Sequence, residues 1–206
     1  MGACGGDATP GKPPGGARPA AAADGGARVE THGFHSAQFG MTEAQVSDSI
    51  VKDFHVAPSA IRAEENAEEK THILAVDVPN VLPQGGTAEI VYVFGHSKTL
   101  IQIGITWSEK TDPALTAARL VTNAQRLAQH FKEAGYQPRS VATDVPLTDG
   151  MLVFRGTDKA GHATILVLHG EGADTARAAT APKALTLYYV ADPEKPDVEA
   201  SPPVSP

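Results

Sequence analysis

The chain has 206 residues, with 17 Lys and Arg against 24 Asp and Glu, a formal net charge of -7. That balance argues against a nucleic-acid surface, which needs clustered basic side chains, and no apolar run approaches the roughly 18–20 residues of a membrane-crossing helix. A single cysteine excludes an internal disulfide and a multi-cysteine zinc site.

Residues 1–33 are dominated by Gly, Pro and Ala and carry almost no large apolar side chains. Ordering them would cost backbone entropy with nothing buried in return, so they read as a tether with a reach of about 30 Å. Cys4 lies at its start, in Gly2-Ala3-Cys4. This resembles the end of a bacterial lipoprotein signal, in which small residues precede the cysteine that is acylated. The resemblance implies lipidation at Cys4 and a chain that starts inside such a signal; the alternative is an exposed thiol.

The folded domain is expected over residues 34–192, beginning in earnest at Phe39-Gly40-Met41-Thr42-Glu43-Ala44-Gln45-Val46. Thr42 is a helix N-cap and Gln45 completes a capping box, while Met41 and Val46 hold the positions of a hydrophobic staple. Val46, Ile50 and Phe54, with Val51 beside them, form one apolar stripe. A polar segment, 55–70, follows, with an extended stretch around Ile61 that can pair with what comes next. Residues 71–78 read as a strand, with Leu74, Val76 and Val78 on one face.

Residues 89–94 and 99–107 form a hairpin around Gly95-His96-Ser97-Lys98. Ile101, Ile103, Ile105 and Trp107 share the core face of its second strand, and Gln102, Gly104 and Thr106 the other. The first strand is apolar on both faces, which places it centrally. Asp112-Pro113 opens a long helix over 113–134 with Leu120, Ala124, Leu127 and Phe131 as its stripe, and Gly135 ends it. A second hairpin, 151–155 with 163–168, and a last strand, 185–190, complete the domain; Tyr188 and Tyr189 must point to opposite faces. Residues 193–206 are a Pro-rich tail, expected to fray.

These elements predict an α+β fold, an antiparallel sheet with two helices packed on one face and the other face open. The order also reads as a degenerate tandem repeat with halves 39–110 and 111–192. The Phe-Gly-Met-Thr-Glu-x-x-Val lead-in at residues 39–46, followed by helix and antiparallel strands, resembles small bacterial envelope lipoproteins. It is similar to the assembly lipoproteins of the SmpA/OmlA type and to the tandem fold of β-lactamase inhibitor proteins. In the assembly lipoproteins the helix runs into Leu-Gly-x-Pro, whereas Val51-Lys52-Asp53-Phe54-His55 stands here. The resemblance implies the α+β class and an envelope setting; it assigns no functional residue.

Motifs for chemistry are sparse. Ser49-Ile50-Val51-Lys52 has the Ser-x-x-Lys spacing of penicillin-recognising enzymes without the partner motifs. His32 and His35 could grip a metal only on a helix, and they stand beside Gly33 in the tether. His130 reads as a surface residue of the long helix, and His96 and His162 as hairpin-end residues. Glu64, Glu65, Glu68 and Glu69 lack the alternation and central Gly of a calcium loop and read as a solvated run. No phosphate loop, nucleophile elbow or dinucleotide fingerprint is present, so no cofactor, metal site or catalytic residue is expected.

The expectation is a non-enzymatic envelope lipoprotein facing the periplasm, held to the membrane by a lipid on Cys4. It would bind an envelope protein partner on the open sheet face through Gln102 and Thr106. Without an upstream signal the chain would be cytosolic. The alternative is a small envelope enzyme or metal-binding protein whose site gathers dispersed residues such as His96, Glu64 and Asp158.

Overall fold

The computed structural model describes residues 1–2, 28–66, 71–170 and 182–198. Cys4, Glu68 and Glu69, the body of the tether and residues 199–206 lie outside that set. A short hairpin, β1 (Gly33–Phe34) with β2 (Ala37–Gln38), leads into helix α1 (Glu43–Phe54). The capping box forms as the sequence predicts, with the Thr42 N–H donating to Gln45 Oε1 at 2.9 Å. Val46 and Ile50 are fully buried, and Phe54 and Met41 pack beside them.

After α1 come a 3-10 turn (Pro58–Ala60) and four strands, β3 (Arg62–Asn66), β4 (Thr71–Pro79), β5 (Thr87–Phe94) and β6 (Leu100–Ser108). Then the order repeats. Helix α2 (Ala117–Ala134), a 3-10 turn (Pro138–Ser140), β7 (Ala142–Leu147), β8 (Gly150–Thr157), β9 (Ala163–Gly170) and β10 (Pro182–Val190) form the second half. The class is α+β, and the strands make one open eight-stranded antiparallel sheet in the order β3-β4-β5-β6-β10-β9-β8-β7. The last strand of each half meets its counterpart antiparallel at the centre. This relates the halves by an approximate twofold axis normal to the sheet, and the first strand of each half becomes an edge. Both helices therefore fall on the same face. Among the described residues neither is long and apolar enough to cross a membrane.

Register defines the core as rows running across the sheet. One row pairs Val76, Ile90, Ile105, Leu187, Leu166 and Phe154; another pairs Leu74, Tyr92, Ile103, Tyr189, Thr164 and Gly156. α2 lays Leu120, Ala124, Leu127, Ala128 and Phe131 on these rows, each buried. At roughly 1.5–3 kcal/mol for each fully buried large apolar side chain, this seam contributes much of the folding free energy. Asn123 is buried on the same face, and its amide donates to the Gly85 carbonyl at 2.9 Å, tying α2 to the β4–β5 loop. Gly156 is required by packing, since a Cβ there would lie 2.8 Å from Tyr136 Cγ.

Several expectations are corrected. α2 starts at Ala117, with Thr116 as its N-cap, because Asp112 is used elsewhere. The Asp112 carboxylate accepts from Ala114 N–H and Thr87 N–H, so Asp112-Pro113 forms a turn against β5 rather than the first turn of a helix. Ile101 is not core: the β5–β6 register jumps from Val93↔Gln102 to Phe94↔Leu100, which leaves Ile101 as an unpaired bulge residue. Leu100 takes its place at 1% exposure. β3 and β7 are full edge strands, only loosely or not at all foreseen, because β3 is short, charged and exposed and β7 is short and interrupted by Asp144 and Pro146.

Both boundaries of the folded unit also shift. Residues 28–33, assigned to the tether, are docked: the Arg28 N–H donates to the Gly135 carbonyl and the Thr31 N–H to Asp158 Oδ2 at 2.6 Å. At the other end, residues 193–198, assigned to the tail, fold back onto the β5–β6 turn instead of fraying.

Candidate functional site: the uncovered face of the sheet

Every residue that alternates with the core rows projects to the side that carries no helix. Its middle row pairs Ala75, Val91, Gly104, Tyr188, Ile165 and Arg155 across six strands. Ile73, Val93, Gln102 and Val190 form the row below, and Asp77, Glu89, Thr106, Thr186, Val167 and Leu152 the row above. Tyr188 lies on this face and Tyr189 on the core face, as their adjacency requires. The Tyr188 ring rests against Gly104, where a Cβ would meet its edge at 3.5 Å.

The centre of this face is therefore apolar, and its margin is charged. Arg62, on the β3 edge, donates to Asp77 Oδ2 at 2.8 Å and to Glu89 Oε1 at 2.6 Å. The hydrogen bond to Asp77 and the charge of its two acidic neighbours raise the Arg62 guanidinium above its ordinary value, against a smaller opposing effect of burial. The pair is exposed, so it shapes the rim more than it stabilises the fold.

The C-terminal segment crosses one end of this face. The Ala191 N–H donates to the Ile101 carbonyl at 2.9 Å, and Asp192 Oδ1 accepts from Glu194 N–H and Lys195 N–H, which turns the chain. Asp197 then caps the β5–β6 turn: its carbonyl accepts from His96 N–H and its Oδ2 from Ser97 N–H, both at 2.9 Å. Hydrogen bonds from Ser97 hold the Asp197 carboxyl below its ordinary value. Between this strap and the sheet is a cavity of about 350 Å³, floored by Ile73, Val93, Ile101 and Gln102 and roofed by Pro196 and Val198.

Gln102 and Thr106 both lie on the uncovered face, where the strand alternation put them, but they are not neighbours. Gln102 belongs to the strapped cavity, while Thr106 lies one row beyond Tyr188 and meets Thr186 at 3.3 Å between hydroxyl oxygens. Four residues of strand separate them, roughly 13 Å. Comparison with family models, curated proteins and solved structures finds no match.

The dispersed residues considered for a catalytic or metal site have other roles. His96 is exposed in the β5–β6 turn, and Glu64 stands on the β3 edge. Asp158 is fully buried, accepting from the backbone N–H groups of Thr31, Ala160 and His162, with His162 Nδ1 at 3.2 Å. It fastens the N-terminal segment to the β8–β9 turn. His162 is accordingly half-buried rather than a tolerated surface residue. Among the described residues no three His, Cys, Asp or Glu side chains are placed to hold one metal ion. His32 pairs with Glu30, and His35 rests edge-on to Phe34 and Phe54. Ser49 bonds its own helix, its hydroxyl donating to the Gln45 carbonyl.

Ile101 and Asp197 were missed as members of this face, and of the two tyrosines it is Tyr188 that lines it. Tyr188 was legible from alternation as one of a pair of opposed tyrosines. Ile101 was hidden by the bulge, and Asp197 by the 100 residues that separate it from Ser97.

Proposed function

We propose that this chain is a tethered, non-enzymatic binding module of the bacterial envelope, anchored through a lipid on Cys4, whose uncovered sheet face takes a protein partner. The observation that carries the reading is the composition of that face. Val91, Ile165 and Tyr188, half-buried, place apolar area on three strands with the buried Ala75 and Val167 among them, and Arg62, Asp77, Glu89 and Arg155 stand at its margin. An apolar centre inside a polar rim, with a tyrosine in the middle, is the anatomy of a protein interface. Gln102 and Thr106 contribute hydrogen-bonding groups to it. The Gly- and Pro-rich residues 1–27 suit a tether between a lipidated Cys4 and the domain.

Site-specific photo-crosslinking in cells tests this. A crosslinker at Val91 or Tyr188 should yield a discrete protein adduct in the membrane fraction, and one at the exposed Val121 of α2 should not. Cys4→Ser should move the protein to the soluble fraction, because anchoring by acyl chains is lost. Equal adducts at Val121, or unchanged partitioning of Cys4→Ser, would count against the face and the anchor respectively.

A further inference from the structure

On the helix side, a gap remains between α2, the β4–β5 loop and β1. It is a cleft of about 340 Å³. Its floor is Trp107 with Tyr189 and Leu187 from the adjoining strand, its wall is Leu127 and Phe131 of α2, and Arg126 stands at its mouth. We propose that this cleft binds a small amphipathic monocarboxylate, with the apolar part against Trp107 and Phe131 and the carboxylate on Arg126.

Three observations converge. The floor is apolar and preformed, with Trp107 at 1% exposure and Phe131 at 4%, and the volume is at the small end of the roughly 300–1,000 Å³ typical of ligand sites. That suits a short acyl chain or a one-ring aryl group and is too small for a phospholipid. Second, Arg126 is uncompensated. Among the described residues its one hydrogen bond goes to the Pro83 carbonyl at 2.9 Å, and no carboxylate lies within ion-pair distance. In a chain with a formal charge of -7, a guanidinium with no carboxylate partner at the rim of an apolar cleft suits an anion. Its planar fork matches the two oxygens of one carboxylate.

Third, two polar groups of the floor lack protein partners. The Trp107 indole N–H and the Tyr189 hydroxyl make no hydrogen bond among the described residues. Burial, together with Tyr136, pushes the Tyr189 phenol up, so it is a neutral donor at physiological pH. Tyr189, which lines the cleft, would gain an acceptor from a ligand oxygen there, whereas the Trp107 N–H has no accessible surface and serves only the apolar floor.

Trp107 is the only tryptophan of the chain, so its emission reports directly on the cleft. The full-length protein is titrated with octanoate and, separately, with 1-octanol. Octanoate should change Trp107 emission saturably, and 1-octanol should bind at least about fivefold more weakly. Arg126→Gln, at an exposed position, should raise the octanoate Kd about tenfold, the loss of one charge-assisted pair, and leave that of 1-octanol unchanged. Val81→Phe, which narrows the mouth, should weaken both ligands while circular dichroism stays native. The proposal is overturned by an unsaturable response to octanoate, by equal affinity for the alcohol, or by Arg126→Gln variants that bind octanoate as the parent does.

Discussion

His55 and Gly135 occupy the same place in the two halves of the molecule: each closes its helix in the left-handed conformation, at φ 54° and 87°, just before a 3-10 turn that starts with proline. Glycine adopts this conformation freely, whereas a residue with a Cβ pays roughly 1–2 kcal/mol for it. His55→Gly should therefore stabilise the fold, by about 0.5–1 kcal/mol after the greater chain entropy of glycine in the unfolded state is set against the gain. Gly135→His should destabilise by more, since a Cβ there also meets Arg28 Nε at 3.1 Å. Urea unfolding of the two variants measures both, with opposite signs expected.

The bulge at Ile101 makes a second test. Ile103 and Leu100 are buried at 0% and 1% exposure, so Ile103→Ala and Leu100→Ala should each cost about 2–5 kcal/mol through lost transfer energy and a cavity. Ile101→Ala, in the strapped cavity, should cost about 1 kcal/mol or less. Equal losses at all three positions would mean that the strand runs without its bulge.

Truncation separates the docked part of the N-terminal segment from the rest. Removing residues 1–33 deletes the Thr31 N–H that bonds Asp158, a carboxylate at 0% exposure. Depriving a buried acceptor of one donor costs about 1–3 kcal/mol, so the midpoint of thermal unfolding should fall by several degrees. Removing residues 1–27 leaves that bond in place, and its thermal midpoint should match that of the full chain.

The strap has a pH signature. The folded Asp197 carboxyl lies below its unfolded value of 3.8, so its contribution is fully present above that value and is lost as pH falls through the lower, folded one. Docking of residues 192–198 should thus weaken as pH falls below about 4. The amide resonances of His96 and Ser97 should shift together on acidification, and in Asp197→Ala they should start at the shifted positions.

Local chemistry was legible in the sequence wherever a single element decided it. The Thr42 cap, the stripe from Leu120 to Phe131, the Gly135 terminator and the alternation from Gln102 to Trp107 all follow from residue type and period. Contacts made at long range were not. Asp112 looked like a helix cap because the demand of Thr87 N–H on its carboxylate is invisible from its neighbours. Residues 28–33 looked like linker because their partners, Gly135 and Asp158, lie more than 100 positions away. For the candidate site, alternation placed Gln102 and Thr106 on the open face. It could not show that Tyr188 stands between their rows, since strand order places β10 beside β6.

An open sheet with a free strand at each margin is a template on which further copies could polymerise into fibrils. Here the margins are built to refuse them. The β3 margin carries Arg62, Glu64 and Glu65, whose charges would face each other across any added strand of the same kind. The β7 margin holds Pro146, which has no N–H to offer, and Asp144 at φ 56°, which breaks the regular spacing of its backbone groups. The sheet can thus leave most of one face without a covering helix while its two margins resist pairing with further copies.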